Sequence, residues 1–311
     1  MIERLFAPAL LWAAMLLQAP AHPPAPPVRT QLILLGTGTP VPDPDAWGPA
    51  SAVVVGDRLF LVDAGAGVTR RLAASGFPRV KDVEATFITH LHSDHTLGYP
   101  DLVFTTWIMG RRSPLVVYGP PGLQRMTEKL LDAWTEDIDE RVNGLERETR
   151  GWLKVEVREI ASLASGPSQP TVVSDRAGVR ISAVRVRHGD WPAFACRFDT
   201  PTRSITFSGD TAPGDALLTL ARGTDVLVHE VYDSARVKPE NRPGGEHWPD
   251  YLRSYHTSDV EVGQLAAKAN VKLLVLSHVM RLGGSDGELI EHVRAGGYTG
   301  RVVVAKDLDR Y

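Results

Sequence analysis

A cluster of metal-binding side chain types directly after an apolar run constrains this chain more than any other feature. The stretch ITHLHSDHTLG (88–98) places three histidines and one aspartate within six residues, namely His90, His92, Asp94 and His95. Burying a neutral imidazole or a carboxylate costs free energy unless the group has a partner. A metal ion is a partner that would account for all four side chains.

The spacing of this cluster favours two metal ions. Alternate residues of an extended segment face the same side, so His90 and His92 can point to one ion. Asp94 and His95 lie at the turn beyond them and can reach a second ion. Four ligands in so short a stretch would strain a single tetrahedral site, and a mixed nitrogen and oxygen set suits Zn2+, with Mn2+ or Fe2+ as alternatives.

Three further candidate ligands follow apolar runs in the second half of the chain. His188 ends ISAVRVRH, Asp210 ends SITFSGD and His278 ends LLVLSH. Ligands at strand ends converge along one edge of a sheet, where α/β proteins place their sites. A carboxylate can bridge two ions, so Asp210 is predicted to serve both, with a shared hydroxide as the nucleophile. The predicted sets are His90, His92, His188 and Asp210 for one ion, and Asp94, His95, Asp210 and His278 for the other.

The order of the apolar runs predicts an α/β protein in both halves of the chain. Short strands around a Gly-Asp turn come first (31–35, 52–55 and 59–62), and strand–helix units follow. A long helical region is predicted over 123–150. Residues 28–311 are expected to form one hydrolase domain.

The N-terminal segment predicts export to a bacterial periplasm. Residues 1–18 are largely apolar, and Ala19-Pro20-Ala21 is a cleavage pattern, so 1–21 is predicted to be a signal peptide. The alternatives are an uncleaved membrane anchor and a misassigned start codon. The HPPAPP stretch (22–27) is typical of a stiff linker. The apolar run is shorter than a membrane span and contains Pro8, so no stable span is expected after cleavage.

Taken together, these motifs resemble the metallo-β-lactamase superfamily and, more specifically, its ribonuclease Z-like branch. THLHSDH is similar to the HxHxDH signature, and the stretches LLGTGTP, FLVDAGAG, VVYGPPGL, FSGDTAP, VLVHEVYD, YHTSDVEVGQLA and LLVLSHV support the branch. The resemblance implies a four-layer αβ/βα sandwich of two mixed β-sheets flanked by helices. It agrees with the predicted ligands and implies a possible homodimer. An aspartate at the position of Asp210 resembles the hydrolases that act on phosphodiesters and related esters.

The resemblance also implies a second pair of functional residues. In ribonuclease Z-like proteins, the residues that match Glu230 and His256 form a dyad that helps to protonate the leaving group. Such a role is chemically sound, because a departing oxygen needs a proton and a carboxylate orients an imidazole and raises its pKa. The alternative is that Glu230 orients a metal ligand and His256 caps the helix that begins near Ser258.

Other polar residues receive smaller roles. Asp94 is predicted to be catalytic as well as a metal ligand. Asp63 is expected to orient a metal-binding side chain without binding the metal itself. His229 is expected to point into the fold. The remaining histidines, His22, His247 and His292, are expected to be solvated surface residues.

The segment 235–256 is rich in proline, glycine and aromatic residues and could cover the metals as a lid. Aromatic candidates to line the site are Trp107, Trp191, Trp248 and Tyr251.

A small or medium anionic ester is the predicted substrate, such as a phosphodiester, a sulfate ester or a lactone. Nucleic acid is predicted to be an unlikely partner, because the net charge is −3 and the connection from His188 to Asp210 is too short for a transfer RNA-binding arm. Export would also separate the protein from transfer RNA. The alternatives are a ribonuclease Z-type endonuclease that cuts tRNA 3′ ends and a non-catalytic zinc-binding protein.

Overall fold

The computed structural model of the protein describes residues 28–160 and 169–311. The predicted signal peptide (1–21) and linker (22–27) lie outside these ranges and stay predictions. None of the helices in the described ranges combines the length and the hydropathy that crossing a membrane requires.

Six strands of the first half form one mixed sheet, in the order in which they occur along the chain. They are β1 (Thr30–Gly36), β2 (Ala50–Val55), β3 (Arg58–Val62), β4 (Val83–Phe87), β5 (Leu115–Gly119) and β6 (Val155–Glu159). The first three strands are antiparallel, and β3 to β6 are parallel. The parallel strands bring their carboxyl ends to one edge, where the histidine cluster follows β4.

The strands of the second half form a second mixed sheet, whose strand order runs opposite to the chain order. They are β7 (Thr171–Arg176), β8 (Val179–His188), β9 (Trp191–Asp199), β10 (Ser204–Phe207), β11 (Val226–Tyr232), β12 (Leu273–Met280) and β13 (Arg301–Val304). Strands β7 to β10 are antiparallel and β10 to β13 are parallel. Each sheet therefore joins an antiparallel part to a parallel part.

Helices cover the outer faces of both sheets. The first half contains α1 (Val68–Ala74), α2 (Ser93–Thr96), α3 (Tyr99–Ile108), α4 (Leu123–Ala133) and α5 (Thr135–Asn143), and the second contains α6 (Asp215–Ala221), α7 (Trp248–Tyr255), α8 (Asp259–Lys268) and α9 (Asp286–Ala295). One apolar cluster, including Phe60, Phe198 and Phe207, fills the space between the sheets. Two others lie between each sheet and its helices. The predicted four-layer αβ/βα sandwich is confirmed.

Some elements differ from the sequence prediction. The helical region predicted over 123–150 is broken, because Trp134 leaves helical dihedral angles (φ −107°, ψ 22°) and its ring packs 5.4 Å from that of Phe104. Strand β7 escaped the prediction because its residues are exposed or half-buried and carry no apolar alternation. Helix α7, with a proline in its first turn, was missed inside a segment rich in proline and glycine.

Candidate metal centre

Chain segments from both sheets bring the predicted ligands to one edge of the sandwich. Strand β4 ends at Phe87, and His90 and His92 follow it in the connection to α2. Asp94 and His95 lie in that short helix, and both are buried. From the second sheet, the last residue of β8, the connection after β10 and strand β12 contribute the other three candidates, which are His188, Asp210 and His278.

His278 reaches the site through a β-bulge instead of ending its strand as predicted. The register between β11 and β12 shifts between His229 and Val231, so Ser277 and His278 together stand opposite Glu230. His278 has a positive φ of 50°, a backbone conformation that is uncommon for non-glycine residues. Bulges of this kind re-aim a side chain beside an active site.

Three imidazole rings converge in the first ligand group. Nδ1 of His92 lies 3.0 Å from Nε2 of His90 and 3.0 Å from Nε2 of His188. Nδ1 of His188 donates a hydrogen bond to the Tyr255 carbonyl at 2.7 Å, so its Nε2 carries a lone pair. Burial lowers the pKa of His90 well below its ordinary value and the pKa of His188 to about 4. Neutral rings with facing nitrogens suit a cation.

The second group combines two histidines with two carboxylates. Nε2 of His95 lies 3.4 Å from Oδ2 of Asp94 and 3.5 Å from Oδ1 of Asp210, and Nε2 of His278 lies 3.2 Å from Oδ2 of Asp94. Nε2 of His95 is buried without a hydrogen-bond partner. Burial disfavours a charged His95, but the carboxylates of Asp210 and Asp63 outweigh burial and raise the pKa of His95 well above its ordinary value. A site that attracts a proton this strongly also attracts a metal cation.

Asp210 lies between the two groups, as expected of a bridging ligand. Its Oδ2 is 3.9 Å from Nε2 of His90 and 3.6 Å from Nε2 of His278. Burial opposes its ionisation, but His278 and His95 hold the pKa of Asp210 well below the ordinary value. Ligand atoms within 4.8 Å of one another form the sets His90/His92/His188, His90/His95/Asp210, Asp94/His95/His278 and His188/Asp210/His256. These donors fit two divalent cations.

Asp63 makes the contact predicted for it. It follows β3 with a positive φ of 60°, and its Oδ2 accepts a hydrogen bond from Nδ1 of His95 at 2.9 Å. The same carboxylate accepts hydrogen bonds from the backbone N–H of Thr89 at 2.7 Å and from its hydroxyl. This contact leaves the lone pair of His95 on Nε2, the atom that faces Asp94 and Asp210.

The substitution Asp63→Asn is expected to weaken metal affinity about 10- to 100-fold, the usual effect of losing the carboxylate behind a histidine ligand. Competition with a chromogenic chelator measures the affinity. Asp57→Asn is the matched control, because Asp57 lies exposed at the turn before β3 and forms an ion pair with Arg79. Equal metal affinities of D63N and D57N would contradict the role given to Asp63.

Glu230 and His256 lie together beside the two ligand groups. Nδ1 of His256 is 3.3 Å from Oε1 of Glu230 and 4.0 Å from Oδ2 of Asp210. Oε1 of Glu230 accepts hydrogen bonds from the backbone N–H groups of Thr211 and Thr257, both at 3.1 Å. Oε2 of Glu230 and Nδ1 of His256 are buried without hydrogen-bond partners, and burial raises the pKa of Glu230. The pair therefore lies at ion-pair distance beside the ligand groups.

Other polar residues settle smaller predictions. The helix-capping alternative for His256 is wrong, because Ser258 caps α8 in a capping box with Glu261. The expectation that His229 points into the fold is confirmed, since its buried Nδ1 donates to the Glu230 carbonyl at 2.6 Å. His292 is not a freely solvated residue: its Nδ1 lies 2.6 Å from Oδ2 of the buried Asp259.

A cavity of about 490 Å³ opens onto the centre. Its floor includes His92, Asp94, Asp210, His256 and His278, and its walls come from the 37–44 loop and from Arg242, Trp248 and Tyr251. Two of the predicted lid residues, Trp248 and Tyr251, therefore line the site.

The other two aromatic candidates occupy different places. The ring of Trp191 lies 4.5 Å from that of His92. Trp107 does not reach the site. It lies on the buried face of α3, and its Nε1 donates a hydrogen bond to the Thr149 carbonyl at 3.2 Å.

Comparison with known proteins identifies the family. The β-lactamase superfamily domain matches residues 58–279. Ribonuclease Z from Mycobacterium bovis is 34% identical over 287 residues, which cover 90% of this chain and 97% of that protein. The chain belongs to the metallo-β-lactamase superfamily, in its ribonuclease Z-like branch. Ribonuclease Z from Mycobacterium tuberculosis is 33% identical with the same coverage.

Solved structures share the fold of this superfamily member. Human tRNase Z, short form, has a TM-score of 0.67 at 22% identity, and the match covers 90% of this chain and 98% of that one. The metallo-β-lactamase fold protein YhfI from Bacillus subtilis has a TM-score of 0.64 at 19% identity, with 98% of that chain and 91% of this one covered. The family match makes the protein a metallo-β-lactamase superfamily hydrolase, and this fold implies a divalent metal.

The prediction that nucleic acid is an unlikely partner is wrong. Relatives named ribonuclease Z match this metallo-β-lactamase chain over 97% of their own length. The short connection between His188 and Asp210 is therefore not a valid argument against nucleic acid as a partner. A net charge near zero also leaves local basic surfaces possible, and phosphate contacts are local.

Proposed function

We propose that this protein is a dinuclear zinc phosphodiesterase of the ribonuclease Z type, which cleaves RNA and takes precursor transfer RNA as its substrate. The match to ribonuclease Z over nearly the full length of both proteins carries this proposal. The site supports it, because Asp210 lies between two groups of ligand atoms and His256 lies next to Asp210.

Each part of the site has a distinct task in this proposal. The ligand groups around His92 and His95 would hold two cations, which supply an activated water and neutralise the phosphodiester charge. Asp210 would fix the spacing between the two groups. Asp63 keeps the lone pair of His95 directed at the site.

The dyad would supply the proton for the departing ribose oxygen. Glu230 is held by two backbone N–H groups and lies 3.3 Å from His256, so the imidazole has a fixed position at the cavity floor. An alkoxide is a poor leaving group, and a positioned acid accelerates its departure by about 10²- to 10⁴-fold. Burial raises the pKa of Glu230 above its ordinary value.

Zinc-loaded protein is expected to cut a precursor transfer RNA at the end of its 3′ trailer that adjoins the mature transfer RNA. Removal of the metal should abolish the cut, because the cations activate the water, and Zn2+ should restore it. Gel mapping of the product ends measures the cut, with untreated and chelator-treated protein side by side.

The control substrate is bis(p-nitrophenyl) phosphate, a small phosphodiester without nucleotides. Hydrolysis of this compound without any cut in the RNA would overturn the RNA part of the proposal. Retention of RNA cleavage after complete metal removal would overturn the metal part.

A further inference from the structure

An arginine without a carboxylate partner lines the cavity above the metal centre. Arg242 lies between β11 and α7, is half-buried, and has its Cζ 4.3 Å from the ring centroid of Tyr251 and 4.9 Å from that of Trp248. Within residues 28–160 and 169–311, no carboxylate forms an ion pair with it. Arg281, which also lines the cavity, has its Nε 2.7 Å from Oδ1 of Asp286.

The loop around Arg242 is ordered by its own backbone. The N–H of Arg242 donates to the Glu246 carbonyl at 2.8 Å, and the N–H of Trp248 donates to the Glu240 carbonyl at 2.8 Å. These hydrogen bonds return the chain to the start of α7, so the guanidinium is positioned before a substrate arrives. Preorganisation of this kind reduces the entropy lost on binding.

An aromatic ladder connects Arg242 to the metal centre. We define the ladder as Trp248, Tyr251 and Tyr255, whose neighbouring rings are stacked at 5.6 Å and 4.5 Å with interplanar angles of 11° and 17°. Tyr255 contacts the His188 ring at 5.0 Å, and its carbonyl accepts the hydrogen bond from that histidine. The Arg242 guanidinium is thereby held at a set place relative to the ligand groups.

The chemistry of this position suits an anion. A guanidinium that lies over aromatic rings keeps in-plane N–H donors for a phosphate, which it can bind through two hydrogen bonds. The ring of Tyr251, over which the Arg242 guanidinium lies, is 6.0 Å from the ring of His256. One substrate molecule can therefore contact both Arg242 and His256. Arg242 forms no ion pair with Asp94 or Asp210, two carboxylates that line the same cavity.

We propose that Arg242 binds a phosphate group of the RNA that neighbours the one being cut. This inference rests on the proposed function and assigns a second phosphate subsite to the same cavity. The aromatic ladder positions the guanidinium, and Arg242 itself touches the substrate. A small phosphodiester has no second phosphate and cannot use this subsite.

Arg242→Gln is expected to raise the Kd for a fluorescein-labelled single-stranded RNA oligonucleotide about tenfold, the effect of losing one charge-assisted hydrogen-bonded contact. The slope of log Kd against log salt concentration should fall by about 0.7, the value for one phosphate contact on a single strand. Anisotropy of the labelled RNA on chelator-treated protein measures both without cleavage. In zinc-loaded protein, R242Q should lower kcat/KM on RNA by a larger factor than kcat/KM on bis(p-nitrophenyl) phosphate.

Two variants serve as matched controls. Arg253→Gln removes the same charge from an exposed residue of α7 that forms an ion pair with Asp250 outside the cavity, and it should leave Kd and slope unchanged. Arg242→Lys keeps the charge but not the two-point contact, so its slope should be that of the unaltered protein with an intermediate Kd.

Two results would overturn the subsite. In one, R242Q and R253Q bind RNA alike. In the other, R242Q loses as much activity on the small diester as on RNA, which would mean that Arg242 acts on the phosphate being cut, the one phosphate that both substrates contain. Failure of the unaltered protein to cut any RNA would instead count against the proposed function itself.

Discussion

Asp210→Asn is expected to lower kcat on bis(p-nitrophenyl) phosphate by about a thousandfold or more. Transition-state stabilisation by bound metal ions is worth several kcal/mol, and each 1.36 kcal/mol corresponds to a factor of about ten in rate. Asp210 faces histidines of both ligand groups within 3.5 to 3.9 Å, so its carboxylate is the element that both groups share. Asparagine has nearly the same volume but brings no negative charge.

Metal content makes this prediction specific. Elemental analysis should find two ions per chain in the unaltered protein and fewer in D210N. Asp215→Asn is the matched control, because Asp215 is the first residue of α6 and is exposed. Full metal content and undiminished kcat in D210N would refute the bridging role.

The dyad variants Glu230→Gln and His256→Asn are expected to lower kcat on RNA by about 10²- to 10⁴-fold, the range for a lost general acid. The same variants should hydrolyse bis(p-nitrophenyl) phosphate at close to the normal rate, because nitrophenolate is a weakly basic leaving group that departs without a proton. Comparison of kcat on the two substrates therefore isolates proton donation from metal binding.

Two controls accompany the dyad variants. His247→Asn replaces an exposed histidine just before α7 and should leave both activities unchanged. Both dyad variants should keep two metal ions per chain. A loss of metal in H256N would show that His256 is a metal ligand and not the proton donor. Its position near His188 and Asp210 is compatible with such a role. Equal losses on both substrates would likewise contradict proton donation.

Much of the site was predictable because its residues follow apolar runs. The six residues from His90 to His95 combine side chains that a core excludes, and His188 and Asp210 stand just after strands that read clearly as apolar stretches. Polar residues at strand ends gather at one edge of the sandwich, so position along the chain was enough to predict that these residues meet. Asp63 was found by the same reasoning, since it follows β3.

Residues outside this rule could not be placed from the sequence. Trp107 and Trp248 both stand in sequence segments that mix apolar and polar residues, yet Trp107 is buried in the core and Trp248 lines the cavity. The choice depends on which face of α3 or α7 packs against the fold, and α7 itself was not predicted. Arg242 carried no signal at all, because an arginine in a loop is ordinarily solvated.

The sequence alone determined the superfamily, the four-layer α/β architecture and the set of polar side chains that gather at the strand ends. The α/β class and the polar side chains follow from local patterns, namely apolar runs and the residues that end them. The superfamily and its four-layer sandwich follow from the resemblance of several motifs to a known family. Only the tertiary structure decided the bulge that aims His278 and the position of Arg242 over the aromatic ladder. The bulge depends on the register between two strands far apart in the chain, and the position of Arg242 depends on how α7 packs, neither of which a local pattern encodes.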